Sequence, residues 1–312
     1  AIEHFEGPDG EILVAEDPEG VEITEAHRRL TPFPGPFVSP NRSGSAAPGL
    51  GSLLAPNNPN VRLSGGEWSV QVGARLEGVR TTSTVDLTAI VRRVPPSMMS
   101  TLIVHLYFTG TNGWTRETAP TDERFQAAFE GMRSVFAEIG IEIEIGSYAD
   151  IDARFREVDM GPSGSSDDAS SLHELLGQNR HGTGVSIFFV DRIGTAADGG
   201  FVAGISGGTP GPLGHPRHIR GGIAIATEMF NNPQIIGHLM AHETGHYLGL
   251  FHTREILDGV TDQLDDTPDD PAGNGNLMFP TVTEEPTYLS DEQAWVLHRS
   301  PIVQPKPRPG AQ

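Results

Sequence analysis

The chain has 312 residues, of which 37% are hydrophobic, with 38 Gly and 25 Pro; this allows a sizeable core broken by many turns and argues against a helical bundle. Forty-one acidic against 21 basic residues leave a formal charge of −20, a surface that repels phosphate backbones and excludes nucleic acid as a partner. With no cysteine in the chain, disulfides, thiolate metal sites and a cysteine-based zymogen lock are excluded, and no apolar run reaches the length of a membrane span.

The start at Ala1 fits a chain whose signal peptide has been removed, so a secreted or periplasmic protein is expected, and a monomer. Residues 1 to about 40 are polar and Pro-rich, and Ser43 to Asn60 (SGSAAPGLGSLLAPNNPN) reads as a loop or linker. Glu67 to Ala74 and Thr82 to Arg93 alternate apolar and polar residues, as half-buried strands do. Pro95-Pro96 then punctuates the chain. Residues 1–97 are therefore read as a small β-rich, sandwich-like domain or ordered pro-segment, with a short likeness to pre-peptidase β-domains in PNNPNVRLSGGEWSVQV. Residues 98–312 form the second unit. Within it Thr101 to Phe108 is a continuous apolar run, the mark of a strand covered on both faces. Thr121 to Ile139 has helical spacing at Phe125, Ala128, Phe129, Met132, Phe136 and Ile139. Ile141 to Ile145, Val185 to Val190 and Ile223 to Ala226 read as further strands, which makes the unit a mixed α/β sheet.

The segment Asn232 to His252, NPQIIGHLMAHETGHYLGLFH, carries the chemistry. Asn232 is an N-cap and Pro233 suits the first helical position. On the helix that follows, His242 and His246 lie one turn apart, about 6 Å along the axis, so both imidazoles can reach one ion. Glu243 sits beside them, where its carboxylate can act on water without ligating the metal. Gly249 can take the left-handed conformation that ends a helix and turns the chain, bringing His252 in as third ligand and leaving a fourth tetrahedral position open. This completes H-E-x-x-H-x-x-G-x-x-H. Three neutral imidazoles leave zinc its full charge, and Glu243 is then the general base of amide hydrolysis.

With Asn276-Leu277-Met278-Phe279-Pro280 following, the chain resembles the metzincin zinc proteases. The resemblance implies an α+β catalytic domain with a mostly parallel sheet and a Met-turn in which Met278 supports the histidines without ligating. The run from Gly249 to Pro268, with Glu255, Asp262 and Asp266-Thr267-Pro268, resembles the pappalysin and cytophagalysin group. That group generally has cysteines here, and a tyrosine two residues after the Met-turn methionine, where this chain has Pro280; Tyr288 is the remaining candidate for its role. The resemblance also implies a protein or peptide substrate laid along a sheet edge, here Phe201 to Ser206, with residues 279–288 walling the pocket beyond the scissile bond.

Between Asp258 and Asp270 six aspartates offer the hard oxygens that calcium prefers, and the resemblance implies a calcium site with Asp262 and Asp266 as members; a solvated acidic loop with an aspartate capping a turn is the other reading. His238, His215 and His218 read as ordinary exposed histidines. Ser290 and Gln293 form a capping box for a last, structural helix. A zinc amidase acting on cell-wall or other non-protein amides uses the same metal and base, and a non-catalytic binding protein on a protease scaffold is the third reading.

Overall fold

The computed structural model describes residues 2–15, 41, 44–46, 49–76, 79–93, 99–161, 170–194, 201–228, 230–255, 261–268 and 275–306. Asp258, Asp269, Asp270 and Pro95-Pro96 lie outside them.

The first part of the chain holds β1 (Ile2–Glu6), β2 (Ile12–Ala15), β3 (Gly44–Ala46), β4 (Leu50–Ser52), β5 (Ser69–Val72), β6 (Ala74–Leu76) and β7 (Val79–Thr81). They form one antiparallel sheet in the order β2-β1-β5 and two hairpins, β3-β4 and β6-β7, not the sandwich expected from the alternation. Residues 82–93 are no strand either. Among the described residues they have no sheet partner, and Val85, Leu87, Ile90 and Val91 are 49%, 64%, 45% and 74% exposed. Alternation encodes a strand only where a neighbouring sheet covers one face. The expected linker also differs: Leu54 is buried in the main core, and Asn57 and Asn58 are buried too.

The larger part follows as β8 (Ser100–Phe108), α1 (Glu123–Glu138), β9 (Ile141–Asp150), β10 (Glu157–Asp159), α2 (Ser171–Leu176), β11 (Val185–Val190), β12 (Arg192–Gly194), β13 (Phe201–Val202), β14 (Gly204–Ser206), β15 (Ile223–Ala226), α3 (Pro233–Leu248), α4 (Asp291–Leu297) and β16 (Gln304–Pro305). The central sheet runs β14-β15-β11-β8-β16, with β9 also paired to β8. Pairs β15-β11, β11-β8 and β8-β9 are parallel, while β14 lies antiparallel on β15 and β16 antiparallel on β8. This is the mixed, mostly parallel α/β sheet expected.

Its strands are apolar on both faces because both are covered. Leu102, Val104, Leu106 and Phe108 of β8 join Ile187 and Phe189 of β11 in a core with α1 and α3. The alternate residues Tyr107, Phe188 and Val190 pack on the other face with Phe155 and with Leu172, Leu175 and Leu176 of α2. Helix α1 starts where Asp122 accepts from Phe125 N–H and buries Phe125, Phe129, Met132 and Phe136. It meets α3 backbone to backbone: a Cβ at Gly237 would lie 2.5 Å from Ala128 O and 3.1 Å from Gly131 Cα. Glycine at 237 therefore sets how closely α3 approaches α1.

Candidate metal centre

Helix α3 begins as its local signals require, with the Asn232 side chain accepting from Gln234 N–H and Pro233 in the first turn. It ends at Gly249, whose φ of 116° and ψ of 10° place it in the left-handed region. Gly249 N–H donates to the carbonyls of Gly245 and His246, and Leu250 N–H donates to Gly245 O at 2.9 Å. These bonds satisfy carbonyls that the last helical turn would leave open. The same reversal carries the chain back, so that ligand atoms of His242, His246 and His252 lie within 4.8 Å of one another.

Each ring is aimed by its own acceptor. His242 Nδ1 is 2.7 Å from Leu277 O, His246 Nδ1 is 2.8 Å from Leu250 O, and His252 Nδ1 is 2.9 Å from a Glu255 carboxylate oxygen. A carbonyl or carboxylate there requires Nδ1 to carry the proton, which leaves Nε2 of each neutral ring as a lone pair. The Nε2 atoms of His242 and His246 face each other at 3.1 Å. Two lone pairs at that separation repel unless a cation lies between them. Nitrogens bound tetrahedrally at zinc distances are about 3.3 Å apart, so the donor set fits a zinc-like ion. Burial first, then the charge of His252, pushes the His242 imidazole down to about 4, against the opposing pull of the Leu277 carbonyl; the ring is neutral at physiological pH, as a metal ligand must be.

Glu243, next to His242 on α3, faces the edge strand β14. Its carboxyl is buried and pushed up to about 8 by desolvation, with a hydrogen bond from the Ser206 backbone acting in the opposite sense. The edge strand crowds it: a Cβ at Gly204 would lie 2.8 Å from Glu243 Cγ. Strand β14 ends the sheet, as expected for the segment Phe201 to Ser206, although residues 201–202 belong to β13 and pair with β12 instead.

Met278 is wholly buried beneath α3. A Cβ at Gly245 would stand 2.6 Å from its sulfur, so the glycine inside H-E-T-G-H makes room for it. The turn also ties the two halves of the centre together, because Leu277 O holds His242 and Met278 O accepts from Thr253 N–H at 3.0 Å. Asn276 braces this turn through paired amide bonds with Gln293 at 2.9 and 3.0 Å. Gln293 completes the Ser290 capping box at the same time, so the last helix supports the centre as well as the fold.

Other expectations change. His238 is buried rather than exposed: its Nδ1 lies 2.8 Å from Thr283 O and its Nε2 2.9 Å from the Gln234 amide. It thereby ties α3 to the segment 279–288. Tyr288 is 39% exposed and engaged through its backbone with Leu277 and Gly275. The expected calcium residues serve the chain itself. Asp266 accepts from Ser290 Oγ and Glu292 N–H, steadying the start of α4, and Asp262 accepts from Leu264 N–H and Thr267 Oγ1 within its own turn. Among the described residues the three histidines are the group that converges for a metal. The sequence does not show the ring-aiming role of Glu255, nor the parts played by the Leu250 and Leu277 carbonyls and the Ser206 N–H. Only Glu255 left a trace there, as an acid three residues after a ligand.

No protein-family model matches the chain, and no curated protein does. Among solved structures, metalloproteinase-II from Bacteroides fragilis is similar at 19% identity and a TM-score of 0.34, over 67% of this chain and 55% of that one. This chain thus spans little more than half the length of that protein.

Proposed function

We propose that the protein is a zinc-dependent endopeptidase of the metzincin type, resembling the pappalysin group, that cuts extended protein or peptide chains in a secreted or periplasmic setting. One observation carries the reading. Ligand atoms of His242, His246 and His252 converge within 4.8 Å of one another, each ring held at Nδ1 by its own acceptor, and the buried carboxyl of Glu243 beside His242 faces the edge strand β14.

Zinc bound here supplies Lewis acidity, acidifying water and polarising a peptide carbonyl. The chain's own residues do the rest. The free side of β14 offers backbone donors and acceptors with which an extended peptide pairs as an added strand. Pairing there carries the scissile bond past Glu243 and the histidines. Glu243 takes a proton from the attacking water and hands it to the departing amine. Its desolvated site favours the protonated acid once a proton arrives, and the Ser206 N–H steadies the carboxylate that is restored. The carbonyls of Leu277 and Leu250 and the carboxylate of Glu255 keep the three rings in the ligating tautomer.

Glu243→Ala is expected to retain one zinc per chain by atomic absorption and to lose about 10²–10⁴-fold in cleavage of casein or a quenched peptide. A variant that holds zinc and cuts at the wild-type rate overturns the role.

A further inference from the structure

We propose that Arg180 and Arg217 form a binding site for a tetrahedral oxyanion, a phosphate or sulfate group, on the side of the sheet covered by α2. The two residues line one recess of about 350 Å³ together with Gly177 and Gln178. In a chain with 41 acidic residues, an arginine is expected to sit beside a carboxylate. Among the described residues neither of these guanidinium groups does. The one carboxylate on α2, Glu174, is already taken by Arg154 at 3.0 Å.

The two arginines are brought together by construction. Arg217 has a φ of 63°, the left-handed region that a long side chain enters only when its surroundings force it. The force comes from Asn179, which is buried. Its side-chain oxygen accepts from Arg217 N–H at 2.7 Å, its backbone carbonyl accepts from the same N–H at 2.9 Å, and its amide donates to Leu176 O and His218 O. Gly221 leaves the space, since a Cβ there would fall 2.3 Å from the Asn179 amide nitrogen. Arg180 is set on the other wall by its N–H, which donates to the Tyr107 hydroxyl at 3.0 Å.

A buried staple and a strained backbone thus hold two like charges at one recess, with no counter-charge beside them among the described residues. A dianion with three or four acceptor oxygens relieves that repulsion, and two planar forks match it as one cannot. Carbonyl and carboxylate groups of α2 do not compete, because Gly177, Gln178 and Asn179 N–H groups already occupy the carbonyls of His173, Leu175 and Leu176.

Isothermal titration of the zinc-loaded full chain with sodium phosphate, and separately with phenyl phosphate, at ionic strength fixed with chloride, tests this. Saturable binding in the wild type is expected, weakened at least tenfold in Arg180→Ala and in Arg217→Gly, with peptidase activity unchanged in both. Arg217→Gly removes the left-handed strain, so it is expected to melt at or above the wild-type temperature, which keeps loss of fold from standing in for loss of the site. Tighter binding of the ester identifies a phosphorylated group carried on a larger molecule; equal binding identifies the free ion. Absence of saturable binding, or the same affinity in the two variants, overturns the site.

Discussion

His252 reaches the centre from beyond the helix, and its ring is aimed by a carboxylate where the other two are aimed by carbonyls. Glu255 both fixes the tautomer and raises the basicity of the ligating nitrogen. Glu255→Ala is therefore expected to weaken zinc affinity about 10–100-fold, read by competition with a chromophoric chelator. Unchanged affinity removes the role. A second histidine outside the centre makes a pH prediction. His105 is buried and stacked on His181 with ring centroids 3.6 Å apart; its Nε2 lies 3.0 Å from Thr183 O and its Nδ1 2.9 Å from Ser147 Oγ. Burial, then the charge of His181, push it down to about 4, against the opposing Thr183 carbonyl. Unfolding frees His105 to bind a proton at its ordinary value near 6.5. Stability contributed by the neutral ring is therefore complete above pH ~6.5, falls as the pH drops toward 4, and loses no more below that, at most about 3 kcal/mol in all. With zinc removed from both proteins, His105→Asn is expected to lose less melting temperature than wild type between pH 7 and 4.5. Parallel curves sink the prediction.

Between elements the decisive contact is the crossing of α1 and α3. Alanine is the better helix former by about 1 kcal/mol, so propensity alone favours replacing either glycine at the crossing. Geometry separates them. A Cβ at Gly131 meets Gly237 Cα at an ordinary 3.5 Å, but a Cβ at Gly237 meets Ala128 O at 2.5 Å, a backbone atom that can yield only by moving a helix. Gly131→Ala is expected to be neutral or stabilising, and Gly237→Ala to cost about 1–3 kcal/mol, both read from chemical denaturation; a reversed order refutes the crossing as described. These contrasts show where sequence was legible. The start of α3 at Asn232-Pro233 and its stop at Gly249 were readable because a cap and a left-handed turn are local events. The convergence of His242, His246 and His252 is legible for the same reason, their spacing being fixed by one helix and one turn. The acceptors behind them were not, since a backbone carbonyl carries no residue signature. Residues 82–93 were misread because alternation reports a preference for a sheet and not the presence of one. Strand β10 and helix α2, three and six residues long, are too short for periodicity to mark.

At the scale of the whole molecule the question is whether the first 97 residues are a removable segment or a fixed part of the structure. The contacts favour a fixed part. Leu54 belongs to the main core and packs at the turn that ends α3, where a Cβ at Gly249 would lie 3.0 Å from Leu54 Cδ2. Gln263 and the Asn57-Asn58 pair exchange buried hydrogen bonds at 2.8 and 3.1 Å. Arg92, at the far end of the exposed stretch, donates to the carbonyls of His298 and Ser300 just after α4. Leu54 and the Asn57-Asn58 pair brace the chain around the turn carrying His252, while Gly44 and Leu50 pack close to Thr209 and Gly208, just beyond β14. Residues 82–91 are exposed and belong to no strand, which makes them the place to cut. A recognition site for an exogenous protease inserted between Leu87 and Thr88 is expected to be cleaved completely in the folded protein. The two pieces should then co-elute in size exclusion, with zinc and peptidase activity retained, and separate only in denaturant. Removing the anchor ought to loosen them: Leu54→Ala, costing about 2–4 kcal/mol by the cavity it leaves, is expected to release the N-terminal piece at lower denaturant and to speed zinc loss to a chelator. Pieces that part spontaneously after the cut, with activity rising, identify the segment as a pro-region, because an inhibitory strap must leave for the cleft to work and a brace must stay.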